Sequence, residues 1–215
     1  MSLRIISRFD PAPRGFAVID TTSHSTSWGI GFSPFRLGPC ALYDGMCAQV
    51  MENAWQYSKV YPSHTNVTAD PTEEYWKWAR AGWASPRANR YPMGKGAKPL
   101  YSLWDGERHN YIAARKRIFI PLYVRAVFGT NAWRSLRHLV CEQGRQIALR
   151  DFDGYDHVAI GRSLPEVLND PKRTMGHAFV LAMMLEAYSR GASSPEEILA
   201  AIPFGEDPPT RPSLF

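Results

Sequence analysis

The order of apolar and polar positions divides the chain into short strand-like runs near the start and longer helical runs after them. Residues 3–9 and 16–22 are rich in β-branched and aromatic side chains and predict two strands, separated by the turn-forming Pro11-Ala-Pro-Arg-Gly15. Residues 41–43 predict a further short strand that ends in an Asp44-Gly45 turn. From 48 to 60 the period lengthens. Met51, Ala54, Trp55 and Ser58 recur at three- and four-residue spacing and Pro62 closes the run, so a helix is expected there. A second helix is expected after Asp70-Pro-Thr72, with Asp70 or Thr72 as its cap. Residues 107–128 predict a long helix kinked near Pro121, with Asp105 as its N-cap, and residues 131–141 predict a shorter one. Residues 146–149 read as a buried strand and 176–189 as a strongly apolar helix, while Ser194-Pro-Glu-Glu197 opens a last helix.

These elements predict the α+β class, mostly helical, with a small sheet holding the site loops. Three segments are expected: a strand or hairpin extension over 1–27, the main domain over 28–202, and a proline-rich tail over 203–215. At 215 residues one domain can bury its core without disulfides or a structural metal. A hydrophobic content of 45% against 21% charged excludes a disordered composition. No apolar run reaches bilayer length and the first ten residues lack a signal-peptide core, so a cytoplasmic protein with no membrane partner is expected. Cys40, Cys47 and Cys141 are scattered and odd in number, and the histidines do not pair at metal-ligand spacing. Neither a metal nor another cofactor is expected.

Charge then narrows the partner. A net charge of +5 favours an anionic ligand, from a phosphorylated metabolite to nucleic acid. The most basic loop, 82–104, interleaves Arg87, Arg90, Lys95 and Lys98 with Trp83, Tyr91 and Tyr101, and so long a loop in a compact domain is usually functional or mobile.

Four constellations can carry chemistry. Glu52, Gln56 and Lys59 stand four and seven residues apart, which on a helix puts them on one stripe; the alternative is a solvated face with Trp55 and Tyr57 packed inward. Asp151-Phe-Asp153-Gly-Tyr-Asp156-His157 follows a predicted strand, and its acids either meet a ligand or form an exposed turn. Trp104-Asp105 precedes the long helix. Phe32-Ser33-Pro34-Phe35 offers two rings that stack on a base or fill the core. Arg162, Lys172 and Arg173 add phosphate contacts or plain surface charge.

In this order the motifs resemble the NADAR family, which includes a riboflavin-intermediate N-glycosidase branch and enzymes that remove ADP-ribose from guanine bases. Phe32-Ser33-Pro34-Phe35 is similar to the family's Phe-Ser-Asn-Phe loop, and Glu52, Gln56 and Lys59 fit its Glu-x-x-x-Gln-x-x-Lys helix. Trp104-Asp105, the acidic turn and Met175-Gly176 are similar to its later motifs, over residues 32 to about 186. Pro34 replaces the loop's Asn, Tyr155-Asp156-His157 replaces a Trp-Gly, and Arg173 replaces an Asn, marking a divergent member. The resemblance implies hydrolysis of a ribose C1′–N bond, on an ADP-ribosylated base or nucleotide or a ribosylamine phosphate. It implies Glu52, Lys59 and Asp153 as catalytic residues. Substrate contacts would come from Phe32, Ser33, Phe35, Trp55, Gln56, Arg90, Lys95, Trp104, Asp156, His157 and Arg173. The competing expectation is a non-catalytic binding module for modified nucleic acid or a nucleotide.

Overall fold

Ile147–Asp151 (β8) reads Ile-Ala-Leu-Arg-Asp, a mostly buried run that needs a partner on each edge, and it receives both partners from the start of the chain. In the computed structural model, which describes residues 2–205, Leu3–Ser7 (β1) and Ala17–Asp20 (β2) flank β8, and both run parallel to it. Ile5 and Ile19 both stand in register with Leu149, and all three are buried. The expectation of a hairpin over 1–27 is therefore corrected. The two strands do not pair with each other, because the loop between them carries the chain back for a second parallel edge rather than reversing it.

Asp44 and Gly45 both take positive φ (50° and 69°), the geometry of a tight hairpin turn, and join Cys40–Ala41 (β3) to Cys47–Ala48 (β4). The next helix, Met51–Gln56 (α1), is much shorter than expected. It stops at Tyr57, whose N–H donates to Asn53 O, and the chain turns extended. Lys59–Val60 (β5) then pairs antiparallel with Tyr101–Trp104 (β6), so Lys59 leaves the helical stripe. Pairing with a distant strand, plus burial of Val60, outweighs local helical periodicity. Glu73–Ala84 (α2) starts after Thr72 and ends before an irregular stretch, 85–100.

A second Asp-Gly turn, Asp105 (φ 49°) and Gly106 (φ 77°), links β6 to Glu107–His109 (β7). Asp105 is thus a hairpin residue and not a helix cap; Asn110 caps, its Oδ1 accepting from Ala113 N at 2.9 Å. The long helix accordingly starts later, as Tyr111–Ala114 (α3), widens into a π-helical stretch at Arg115–Phe119, and continues as Ile120–Phe128 (α4). The wide turn lies just ahead of Pro121, which cannot donate a backbone hydrogen bond. Asn131–Arg137 (α5), capped by Thr130, ends in a similar π-helical stretch, and Leu164–Leu168 (α6) opens with a Ser163/Glu166 capping box.

His177–Ser189 (α7) is buried along almost its whole length, as a helix apolar on nearly every side must be, and packs on β8, α4 and Pro195–Ala201 (α8). The chain is an α+β domain in which helices dominate, and the strands among the described residues form three small sheets. No helix among the described residues is long and apolar enough to cross a membrane. Most of the tail expected over 203–215 lies outside the described residues.

Candidate functional site

The sheet, α1, α7 and the π-helical stretch meet around a cleft of about 660 Å³, a volume suited to a nucleotide-sized ligand. Its chemistry begins on α1. Four residues of helix bring Glu52 and Gln56 onto one face, both buried, and Gln56 Nε2 donates to Glu52 Oε1 at 2.9 Å. Lys59 arrives from β5 instead, yet its Nζ donates to Gln56 Oε1 at 2.6 Å. An ammonium only donates, so the amide oxygen must face Lys59 and the amide nitrogen Glu52. The three groups form one directed chain, amine to amide to carboxylate, on the cleft wall. The Trp55 ring lies 4.8 Å from Lys59 Nζ and covers the amine.

Burial sets the charge states. Desolvation raises the Glu52 carboxyl above the usual range, against the opposing pull of Gln56, Lys59, Arg90 and His177. Desolvation also lowers the Lys59 amine to about 8, with Glu52 acting against the shift and Arg90 adding to it. An acid displaced upward and an amine displaced downward, one amide apart, are the pattern of proton-transfer and nucleophilic sites.

The opposite side is built at the end of β8. Asp151 is buried, and its Oδ2 accepts from Ala178 N at 2.9 Å, which puts a carboxylate on the positive end of α7. The approach requires glycine at 176, where a Cβ would stand 2.2 Å from Asp151 Oδ2. His177 is pinned between Thr21 O (2.9 Å from Nε2) and Asp151 Oδ2 (3.3 Å from Nδ1). Two residues on, Asp153 accepts from Arg90 at 3.0 Å and from Thr174 Oγ1 at 3.1 Å, tying the basic loop to the acidic turn.

Of the sequence-predicted residues, Ser33, Phe35, Glu52, Trp55, Gln56, Lys59, Arg90 and Asp153 all line this cleft. The others do not. Phe32 is fully buried in the core, and its carbonyl accepts from the Tyr123 hydroxyl at 2.8 Å. Trp104, carried away on β6, packs edge-on against Tyr43 with ring centres 5.0 Å apart. Asp156 accepts from Ala159 N and pairs with Arg4 at 3.5 Å, while His157 packs against Phe179. Arg173 turns back over the Tyr155 ring, and Lys95 stands exposed between the lining residues Gly94 and Gly96. The acidic turn is sharp, so only its first three residues face the cleft.

Among the lining residues that had no predicted role are His177, Arg115, Tyr111 and Phe152. Arg115 is buried and donates to the carbonyls of Val167, Leu168, Asp170 and Arg173, fastening the segment that leads to Thr174. A signal existed for it. Arg115 interrupts the apolar stripe of Ile112 and Phe119, and a charge on a core-facing stripe calls for a buried set of acceptors. Comparison with protein-family models, curated proteins and solved structures gives no match.

Proposed function

We propose that the protein is a NADAR-like N-glycosidase that hydrolyses a ribose C1′–N bond in an ADP-ribosylated base or nucleotide or in a ribosylamine phosphate. The observation that carries this reading is the Glu52–Gln56–Lys59 chain, its acid and amide buried, on a cleft that also holds Asp153. Glu52, whose carboxyl burial shifts toward the protonated form, donates its proton to the departing nitrogen. The carboxylate left behind faces the positive charge that develops on the sugar. On a ring-opened ribose, Lys59 Nζ bonds to C1′ as the C1′–N bond breaks; water then hydrolyses the imine, releasing the sugar and restoring the amine. Asp153, fixed by Arg90 and Thr174, offers an acceptor for ribose hydroxyls, and Arg90 offers charge for a phosphate.

The test is release of free sugar from DNA carrying ADP-ribosylated guanine and from a ribosylamine phosphate. Glu52→Gln keeps the shape and should lose turnover by about a hundredfold or more while still binding substrate. Borohydride added during turnover should leave the reduced sugar attached to Lys59, seen by mass. Undiminished release by the Glu52→Gln protein would end the proposal.

A further inference from the structure

Outside the cleft, the end of β1 carries a pair of side chains that the reaction does not use. Phe9 is 83% exposed, a poor place for a ring with no partner. Beside it the Arg8 guanidinium stands 5.5 Å from the Phe9 ring and 4.7 Å from the Phe152 ring. Phe152 in turn lies 5.8 Å from the Arg90 guanidinium, which is 5.5 Å from the Tyr91 ring. Ring and cation therefore alternate in one unbroken row: Phe9, Arg8, Phe152, Arg90, Tyr91. Its inner members line the cleft, and Phe9 lies beyond the rim.

The chemistry of the row selects its occupant. Guanidinium groups and aromatic rings stack on nucleobases without regard to sequence, and cations along the path neutralise phosphates. Arg8 has no carboxylate partner among the described residues, and neither do the exposed Arg87, Lys95 and Lys98 on the loop that carries Arg90. Nearby acids are engaged locally: Asp10 accepts from Ser7 N, Asp153 holds Arg90, and Asp156 holds Arg4. The free charge on this face is positive. An acidic peptide would satisfy the charge but not the open ring faces of Phe9 and Tyr91, whereas a single-stranded polynucleotide satisfies both.

We propose that this row is a binding track for single-stranded nucleic acid, which holds the strand flanking the nucleotide in the cleft. The inference rests on the proposed hydrolase only for what occupies the cleft; the track itself needs no turnover. It makes the substrate a nucleotide within a strand rather than a free one.

The probe is fluorescein-labelled oligodeoxythymidylate, followed by anisotropy at low salt with wild type, Phe9→Ala and Arg8→Ala. Both positions are exposed at a turn, so the variants should fold as wild type does. Each should bind the probe on the order of tenfold more weakly, with ADP-ribose binding unchanged. Only Arg8→Ala should also flatten the salt dependence, since it alone removes a phosphate contact. Three results would each overturn the track: no probe binding by wild type, unchanged binding by both variants, or equal competition from polyglutamate. Phe9-dependent probe binding by a protein that releases no sugar would leave the track standing and remove only the hydrolase reading.

Discussion

At the scale of single residues, the amine of Lys59 decides most. It sits half-buried under Trp55, bonded to Gln56, with its pKa lowered from 10.5 to about 8. Between those two values the unfolded chain keeps a proton that the folded protein has lost, so stability attributable to this group rises with pH. At about 1.4 kcal/mol per unit, reduced for partial exposure, the full change is about 1–3 kcal/mol. Urea midpoints of wild type and Lys59→Met, measured from pH 7 to 10.5, should therefore converge or cross in favour of wild type as pH rises. Taking the difference removes the opposing contribution of the buried tyrosines, whose raised pKa values cost stability at high pH. A constant difference would show that the amine is as well solvated folded as unfolded. The sequence made Glu52 and Gln56 legible as a helical pair. Lys59 was reached through a spacing argument whose premise fails, because the helix ends before it. His177 and Arg115 were hidden, since their partners lie 26 and more than 50 residues away in the chain.

At the scale of elements, the joint between α1 and β5 is what aims Lys59 at the cleft, and Gly82 of α2 guards it. A Cβ at Gly82 would stand 2.1 Å from two carbons of the Tyr57 ring. That ring is confined by Trp78, with ring centres 4.5 Å apart. Glycine to alanine within a helix ordinarily gains about 1 kcal/mol. Here overpacking costs about 1–3 kcal/mol and displaces the residue that ends α1, so the clash wins. Gly82→Ala should lower the melting temperature and, in the same protein, weaken sugar release; a stabilised variant would refute the packing argument. Elements set by local chemistry were legible, as the Asp44-Gly45 turn, the strand before Asp151 and the apolar α7 attest. Asp105 was misread because Asp also caps helices, and only the pairing of β6 with β7 decides for the hairpin.

At the scale of the whole molecule, the first twenty residues cannot be an appendage. They supply both edges of the strand that ends in Asp151, and Thr21 holds His177. Removing residues 1–27 would leave the backbone groups of β8 unpaired on both sides and open the floor of the cleft. The shortened chain should lose cooperative unfolding and the amide exchange protection of residues 147–151; a truncated protein that melts as sharply as the parent would contradict this. The segment's two strands could be read from local pattern, but their attachment could not, because parallel pairing leaves no turn signature between the partners.

The two edge strands leave the ribosome early, yet each waits for a partner more than a hundred residues downstream. Until that partner is made, Ile5, Ile6 and Ile19 have nothing to pack on, and the nascent chain carries sticky, unpaired backbone. Sheet closure of this kind is governed by long-range search and should be the slow event in biogenesis. With Asp151 at the tip of the late strand, the pocket would be completed only when the start of the chain has found a strand made more than a hundred residues later.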